Sequence, residues 1–247
     1  MEKHTYKNGH TTSFEYIKFT ETPKFTILYT HGLCSDPWGE KPENVKKWCI
    51  QNNINFYRYE LAGHGSDKDT YMSCGVNDWR DHILDIIDNI ITGPILVVGS
   101  SLGGWLSLLA TIHRPQRIVG VIGLAAAPDF TKYLRDYLSI EQNRELDEKG
   151  FTAFDNADFG YFYTTKLIES GNQNLVLETE NLNINCPVHL IHGIKDASIP
   201  YQHAINVTNK LSSTEVILKI LKESNHRLND DLAKIEIINS LNWFLER

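Results

Sequence analysis

The chain has 247 residues, which is enough to bury a sizeable hydrophobic core in one domain. Hydrophobic residues make up 41% of it and charged residues 22%, a balance that is typical of globular enzymes and excludes a disordered or fibrous protein. The formal net charge is −7 and the Lys and Arg residues are scattered, so no nucleic-acid partner is expected.

The N-terminal segment 1–19 contains no apolar stretch long enough for a signal peptide. No uncharged apolar run approaches the roughly 18 residues of a membrane span, so stable membrane insertion is not expected and we predict a cytoplasmic protein. The four cysteines have neither metal-finger spacing nor a CxxC pair, which predicts free thiols in a reducing compartment and no metal site. They are Cys34, Cys49, Cys74 and Cys186.

Short runs rich in β-branched and aromatic residues alternate with stretches of helical periodicity. Such alternation predicts a mostly parallel sheet with crossover helices. Three of the runs are apolar nearly throughout, which indicates strands covered on both faces and hence a doubly wound α/β fold. The predicted strands are 25–30, 53–60, 94–100, 118–126, 187–193 and 214–221, and a closing amphipathic helix is predicted over 231–246.

The alternation of strands and helices is interrupted after the strand 118–126. The segment 130–182 has helical character, so we predict a single domain whose core, 1–128 and 186–247, carries a cap insertion at about 129–185. An aromatic cluster in this cap either lines an apolar acyl pocket or attaches the cap to the sheet. Its members are Phe151, Phe154, Phe159, Tyr161, Phe162 and Tyr163.

A candidate nucleophile follows the fully apolar strand 94–100. The run from Gly99 to Gly103 matches G-x-S-x-G and stands between a strand and a helix, as that pattern requires. Such a turn strains its central residue, and only small residues two positions away avoid a clash. Ser101 lies midway between the two glycines, whereas the adjacent Ser100 does not. The N–H of Leu102, at the helix N-terminus, is a candidate donor to an oxyanion.

A second oxyanion donor is expected in the loop after the strand 25–30. His31 and Gly32 follow that strand, and a His-Gly pair lets the backbone turn over the nucleophile so that the N–H of Leu33 faces it. Loops of three consecutive glycines, as in some lipases, are absent from the sequence. The Leu33 amide is therefore the one donor predicted from this loop.

An acid that orients a catalytic histidine is expected after one of the later strands. Asp196 follows the strand 187–193 and is the preferred candidate, because a carboxylate there can reach the imidazole and stabilise its charged form. Asp129, after the strand 118–126, is the alternative. Its other interpretation is a cap of the first helix of the insertion.

The general base must lie between the last strand and the last helix. Of the ten histidines, His226 is the one in that loop. His31, His64 and His192 lie in other loops at the same edge of the sheet. For each of these three, a hydrogen bond to turn backbone is the favoured interpretation.

These motifs, in the order nucleophile, acid, base, resemble the α/β-hydrolase superfamily. Within it the sequence is similar to the acyl-protein thioesterase and acyl-glucuronide esterase group, which has a mitochondrial animal member and bacterial relatives. The resemblance rests on the runs from Gly99 to Trp105, from Asn185 to Asp196 and from Ser224 to Arg227. It implies hydrolysis of fatty thioesters or activated acyl esters, with Ser101, Asp196 and His226 at the matching positions.

The resulting hypothesis is a two-step acyl transfer. His226 deprotonates Ser101, an acyl-enzyme forms under the Leu33 and Leu102 amides, and water activated by His226 releases the acid. No metal or organic cofactor is required. The expected partner is a small-molecule or acylated-protein ester or thioester with a medium-to-long apolar acyl group, and the oligomeric state is left open.

Other functions share this scaffold. A haloalkane dehalogenase would need Asp in place of Ser101 and is excluded. A carbon–carbon bond hydrolase or a perhydrolase would keep the serine and stays open as an alternative. The alternative from another class is a non-catalytic ligand-binding protein, and the intact set of triad and oxyanion residues argues against it.

Overall fold

The computed structural model describes residues 2–153 and 162–247. Its centre is an eight-stranded sheet, and a separate two-stranded sheet lies in the insertion. The strands are β1 (Glu2–Thr5), β2 (Thr11–Ile17), β3 (Thr26–Thr30), β4 (Asn55–Tyr59), β5 (Ile95–Ser100), β6 (Ile118–Leu124), β7 (Phe151–Ala153), β8 (Phe162–Thr164), β9 (Val188–Gly193) and β10 (Val216–Leu221). The helices are α1 (Glu40–Gln51), α2 (Val76–Asn89), α3 (Leu102–His113), α4 (Leu134–Tyr137), α5 (Ile140–Lys149), α6 (Thr165–Asn172), α7 (Gln202–Lys210) and α8 (Asp231–Glu246), with 3-10 helices at Gly65–Ser73 and Phe130–Tyr133.

The strand order across the large sheet is β1-β2-β4-β3-β5-β6-β9-β10. The six strands β4, β3, β5, β6, β9 and β10 each run parallel to their neighbours in this order. At the other edge, β2 pairs antiparallel with β4, and β1 pairs antiparallel with β2. The predicted doubly wound, mostly parallel α/β fold is therefore confirmed. The hairpin of β1 and β2 is an addition to the prediction, because β1 is short, polar and largely exposed and so lacks the apolar pattern of a strand.

The central strands are apolar because helices cover both faces of the sheet. Along β5, Ile95 and Val97 belong to the cluster under α2 and α3, whereas Leu96 and Val98 belong to the cluster under α1 and α8. Successive side chains of a strand point to opposite faces, so a strand covered on both sides is apolar at most of its positions. Each of these side chains contributes about 1.5 to 3 kcal/mol relative to an exposed one.

Between β6 and β9 the chain leaves the sheet, at the position of the predicted cap. Short helices fill much of this segment, and α5 begins at a capping box in which Ser139 and Gln142 exchange hydrogen bonds of 2.9 and 3.1 Å. The antiparallel pair β7–β8 differs from the predicted all-helical insertion. Leu134, Leu146 and Ile168 form a small buried cluster of their own here, which we call the cap cluster.

Three of the six aromatic residues predicted to form a cluster in this insertion lie within the described residues. The other three, Phe154, Phe159 and Tyr161, lie outside them. The rings of Phe151 and Phe162 meet edge to face across β7 and β8, with centroids 5.1 Å apart. Tyr163 packs against both the cap cluster and the main core. Of the described rings, Tyr163 therefore joins the insertion to the main core, whereas Phe151 and Phe162 join the two strands of the insertion.

The carboxyl ends of the parallel strands meet at one edge of the sheet, where ligands bind in open α/β folds. The loops after β9 and β10 are joined there by two backbone hydrogen bonds. The N–H of Ile194 donates to the carbonyl of Leu221 at 2.9 Å, and the N–H of Lys195 donates to that of Ser224 at 3.0 Å. This edge carries the candidate site.

Candidate active site

Ser101 occupies the sharp turn between β5 and α3. Its backbone has φ 54° and ψ −117°, a conformation that residues other than glycine rarely adopt. The turn is possible because its flanking glycines lack side chains. A Cβ on Gly99 would lie 2.2 Å from the carbonyl oxygen of Gly103, and a Cβ on Gly103 would lie 2.1 Å from that of Thr30.

Ser101, His226 and Asp196 form one chain of hydrogen bonds. The hydroxyl of Ser101 lies 3.0 Å from Nε2 of His226, and Nδ1 of His226 lies 2.7 Å from Oδ2 of Asp196. A carboxylate oxygen only accepts, so Nδ1 carries the hydrogen and Nε2 presents its lone pair to the hydroxyl. The Asp196 side chain is fully buried, whereas that of His226 is 28% exposed. Ser100 makes no hydrogen bond with His226 in the described chain.

Four donors surround the Asp196 carboxylate. Oδ1 accepts from the N–H groups of Ser198 at 2.9 Å and Ile199 at 2.8 Å. Oδ2 accepts from His226, and Nε2 of His192 lies 3.0 Å from the same oxygen. Burial by itself would raise the pKa of Asp196, but the hydrogen bonds from His192, His226 and Ile199 outweigh burial and hold that pKa well below its usual range. Asp196 is therefore ionised at neutral pH, as stabilisation of a charged imidazole requires.

A lysine of α1 fastens the loop that carries His226. The ammonium group of Lys41 donates a hydrogen bond to the carbonyl oxygen of Arg227. Burial lowers the pKa of Lys41 to about 8, and the positive charge of Arg227 acts in the same direction. Sequence reasoning missed this contact, because Lys41 and Arg227 belong to distant segments and neither lies in a motif.

Asp129, the alternative acid, has other partners. Its carboxylate accepts the N–H of Val176 at 2.8 and 3.1 Å and the N–H of Leu177 at 2.7 Å. Among the described residues it makes no hydrogen bond with His226, so the geometry favours Asp196. Its interpretation as a helix cap is wrong, because Asp129 precedes the 3-10 helix Phe130–Tyr133 without making a side-chain capping bond. Asp129 instead joins the end of β6 to the loop after α6.

The loop after β3 lies directly against Ser101. A Cβ on Gly32 would lie 3.1 Å from the Cβ of Ser101. His31 fixes this backbone: its Nε2 accepts from the N–H of Leu61 at 2.9 Å, so Nδ1 carries the hydrogen and donates to the Gly32 carbonyl at 2.8 Å. That carbonyl and the Leu33 N–H belong to one planar peptide group, so the same bond fixes the direction of the Leu33 N–H.

Two backbone donors remain next to the nucleophile. The N–H groups of Leu33 and Leu102 have no hydrogen-bond partner within residues 2–153 and 162–247. Leu102 is the first residue of α3, where the backbone N–H has no carbonyl partner within the helix. Leu102 follows Ser101 in sequence, and Leu33 follows the Gly32 that contacts Ser101. Both amides are thus available to an oxyanion.

The other histidines of this edge contact turn backbone, as predicted. His64 Nδ1 lies 3.2 Å from the carbonyl oxygen of Ala62, and His192 Nε2 lies 2.9 Å from that of Ile199. The additional contact between His192 and Asp196 was not predicted. The one feature of the sequence that indicates this contact is that Asp196 follows His192 by four residues, in the loop after β9.

No group of three or more His, Cys, Asp or Glu side chains in the described chain could hold a metal ion. The four cysteines are free, and burial raises the pKa of each thiol, so the thiols are protonated at neutral pH and poorly nucleophilic. No described helix is long and apolar enough to cross a membrane. The cytoplasmic location stays a prediction.

The arrangement is suited to acyl transfer. A hydroxyl with a base on one side, and two N–H groups on the other, can attack a carbonyl carbon and stabilise the oxyanion that forms. The buried carboxylate keeps the base in the tautomer that accepts the hydroxyl proton.

Known proteins are similar to this chain in sequence and in fold. The model of the alpha/beta hydrolase family matches residues 27–178. The chain is 30% identical to the mitochondrial palmitoyl-protein thioesterase ABHD10 of Rattus norvegicus in an alignment of 232 residues that covers 89% of this chain and 78% of that protein. The structure of mouse alpha/beta hydrolase domain-containing protein 10 superposes with a TM-score of 0.88 at 28% identity, over 99% of this chain and 98% of that one. A putative hydrolase of Agrobacterium vitis has the same fold, with a TM-score of 0.89 at 23% identity over 98% of each chain.

The buried His31 predicts a loss of stability in acid. Burial lowers the pKa of His31 to about 4, and its bond to the Gly32 carbonyl offsets part of that effect. The unfolded chain takes up a proton near pH 6.5, so the stability due to neutral His31 is present above that pH and is lost as the pH falls towards about 4. We expect His31→Asn to reduce the difference in unfolding free energy between about pH 7.5 and pH 5 by about 2 kcal/mol, measured by urea denaturation. An undiminished difference would contradict a neutral, buried His31.

Proposed function

The chain belongs to the alpha/beta hydrolase family and acts on ester or thioester bonds, and we propose that Ser101 is its nucleophile, His226 its general base and Asp196 the acid that orients the base. The hydrogen-bonded chain through these three side chains carries the proposal. The strained backbone of Ser101 supports it, because strain of this kind is found at functional sites. A protein that only binds a ligand has no need of a hydroxyl, an imidazole and a carboxylate in this order.

In the first step His226 Nε2 takes the proton of the Ser101 hydroxyl while Oγ bonds to the carbonyl carbon of the substrate. The carbonyl oxygen becomes an oxyanion, and the Leu33 and Leu102 N–H groups stabilise it. The bond to the leaving thiol or alcohol then breaks, and His226 gives that group its proton. In the second step His226 takes a proton from water, and the hydroxide formed attacks the acyl-enzyme. The bond to Oγ breaks, the acid leaves and Ser101 regains its proton.

The substrate that we propose carries an apolar acyl group of medium to long chain, on a small molecule or a protein. Trp105 lies one turn beyond Ser101 on α3 and meets Phe130 edge to face, with ring centroids 5.8 Å apart. Phe130, which is half-buried, also packs against the cap cluster, so apolar side chains connect the helix that follows the nucleophile to the insertion, where we propose that the acyl chain binds. The similar rat protein is a palmitoyl-protein thioesterase, which supports a fatty acyl thioester as the substrate here as well.

A fluorophosphonate probe tests the nucleophile. We expect mass spectrometry to find the adduct on Ser101 and expect labelling to vanish in His226→Ala. Ser101→Ala should lower kcat by about 10⁴- to 10⁶-fold, the loss seen when a working triad is broken. Ser100→Ala is the matched control and should retain most of the activity, since Ser100 makes no described contact with His226. An adduct on another serine, or near-native activity of Ser101→Ala, would overturn the assignment.

A pair of substitutions tests the acid. Asp196→Asn should lower kcat by about 10⁴-fold, because an amide cannot stabilise the imidazolium or hold the correct tautomer. Asp129→Asn should leave kcat within about tenfold and lower the free energy of unfolding by about 1 to 3 kcal/mol, because it weakens bonds to two buried amides. Steady-state kinetics and urea denaturation of both variants separate the two roles. Equal losses of kcat would refute the choice of Asp196.

Substrate series of increasing acyl length test the apolar pocket. For p-nitrophenyl esters and acyl thioesters, kcat/KM should rise by up to about fourfold for each added methylene, the gain from burying about 0.8 kcal/mol, until the pocket is full. Ser101→Ala, assayed with the same series, gives the background. A profile that is flat or highest for the acetyl compound would disprove a medium-to-long acyl preference.

A further inference from the structure

A second histidine touches the carboxylate of Asp196. His192 lies at the C-terminal end of β9, and its side chain is 1% exposed. Its Nε2 lies 3.0 Å from Oδ2 of Asp196 and 2.9 Å from the carbonyl oxygen of Ile199. None of the proposed steps of acyl transfer uses this side chain, although it shares an oxygen atom with the general base.

The tautomer of His192 follows from its partners. Carboxylate and carbonyl oxygens only accept hydrogen bonds, so Nε2 carries the hydrogen, which it donates to the Ile199 carbonyl while lying 3.0 Å from Oδ2 of Asp196. Nδ1 is buried and has no hydrogen-bond partner among the described residues. A hydrogen on Nδ1 would be a buried donor without an acceptor, which is costly. The partners of His192 thus favour a hydrogen on Nε2 over one on Nδ1.

His192, Asp196 and Ile199 close a compact ring of contacts. The N–H of Ile199 donates to Oδ1 of Asp196 at 2.8 Å, while the carbonyl of the same residue accepts from His192. Nε2 of His192 lies 3.0 Å from Oδ2, and this contact helps to lower the pKa of Asp196. One imidazole therefore holds the carboxylate and the loop that supplies its other donors, which a structural contact to backbone alone would not do.

We propose that His192 is a positioning residue for acyl transfer, which holds the Asp196 carboxylate against His226 and balances part of the negative charge on their shared oxygen. This proposal rests on the proposed roles of Ser101, His226 and Asp196. The hydrogen bonds to His192 and His226 stabilise the ionised carboxylate together, in addition to the backbone donors.

Few other charged or titratable groups face this carboxylate. Nε2 of His203, on α7, lies 2.6 Å from the carbonyl oxygen of Pro128, and burial lowers the pKa of His203. Arg227 follows His226, and Lys41 of α1 holds the Arg227 carbonyl. Lys195, next to Asp196, pairs with Glu223 at the exposed surface. In the described chain, His192 and His226 are the titratable side chains that bond to Asp196.

Removal of the His192 donor has two expected effects. More negative charge stays on Oδ2 opposite His226, so the imidazolium forms more readily and the acid limb of kcat/KM moves to higher pH. The carboxylate also loses a restraint, which lowers kcat. KM changes little, because the described contacts of His192 are with Asp196 and Ile199 rather than with the surface beside Ser101.

Three variants test the proposal. His192→Leu removes the donor and should lower kcat by about 10- to 100-fold, keep KM within about twofold and move the acid limb up by about half a unit to one unit. His192→Gln has an amide N–H at about the reach of Nε2 and should restore most of kcat and the pH profile. His189→Leu is the matched control, because His189 is also buried on β9 but its ring nitrogens have no partner among the described residues.

The outcomes separate this proposal from the proposed function. If the wild-type protein neither hydrolyses acyl substrates nor reacts with fluorophosphonate, the proposed function fails. If the wild type is active and His192→Leu keeps its kcat and pH profile, the positioning role alone fails. It also fails if His192→Gln has the same kcat and pH profile as His192→Leu, or if His189→Leu moves the acid limb as far as His192→Leu does.

Nitrogen NMR of the wild-type protein does not depend on whether the variants fold. At neutral pH, Nε2 of His192 should carry the hydrogen and Nδ1 should not, and the opposite tautomer would refute the proposal.

Discussion

The site depends on how closely the first turn of α3 approaches the ends of β3 and β5. Gly99, Gly103 and Thr30 come so near to one another that one added carbon atom on either glycine would overlap a carbonyl oxygen. This contact holds Ser101 at positive φ and leaves the Leu102 N–H beside the Ser101 side chain. The N–H of Ser101 bonds to the Leu124 carbonyl at 2.9 Å, which ties the same turn to β6. A looser approach would relax the turn and displace the hydroxyl from His226.

Histidines at this edge of the sheet have different tasks because their partners differ. His31 lies between a backbone donor and a backbone acceptor, so it is a neutral spacer that sets the direction of a peptide group. His192 lies between two acceptors and is a donor. His226 lies between a carboxylate and a hydroxyl and is half-buried, so it is the one of the three placed to accept and release a proton. Residue type alone does not distinguish these roles; the hydrogen-bond partners do.

Much of the fold could be predicted from the sequence because strands buried on both faces have a largely apolar pattern. Ser101 and His226 could be named as candidates because local motifs mark the turn after β5 and the last loop. The sequence favoured Asp196 but kept Asp129 as an alternative, since both follow a strand. What separates them is tertiary: backbone bonds draw the loop of Asp196 against that of Ser224, while Asp129 turns towards Val176. The strands β1, β2, β7 and β8 escaped prediction. β1, β7 and β8 are too short or too polar to have a hydrophobic period, and β2 begins with three hydroxyl side chains.

Asp129 joins the core to the insertion through main-chain amides alone. A carboxylate that binds N–H groups does not depend on the side chains of those residues, so these hydrogen bonds require only that neither Val176 nor Leu177 is replaced by proline. The sequence of the insertion can therefore change while its attachment to the core at Asp129 stays intact. An enzyme built in this way can acquire a new preference without rebuilding its chemistry.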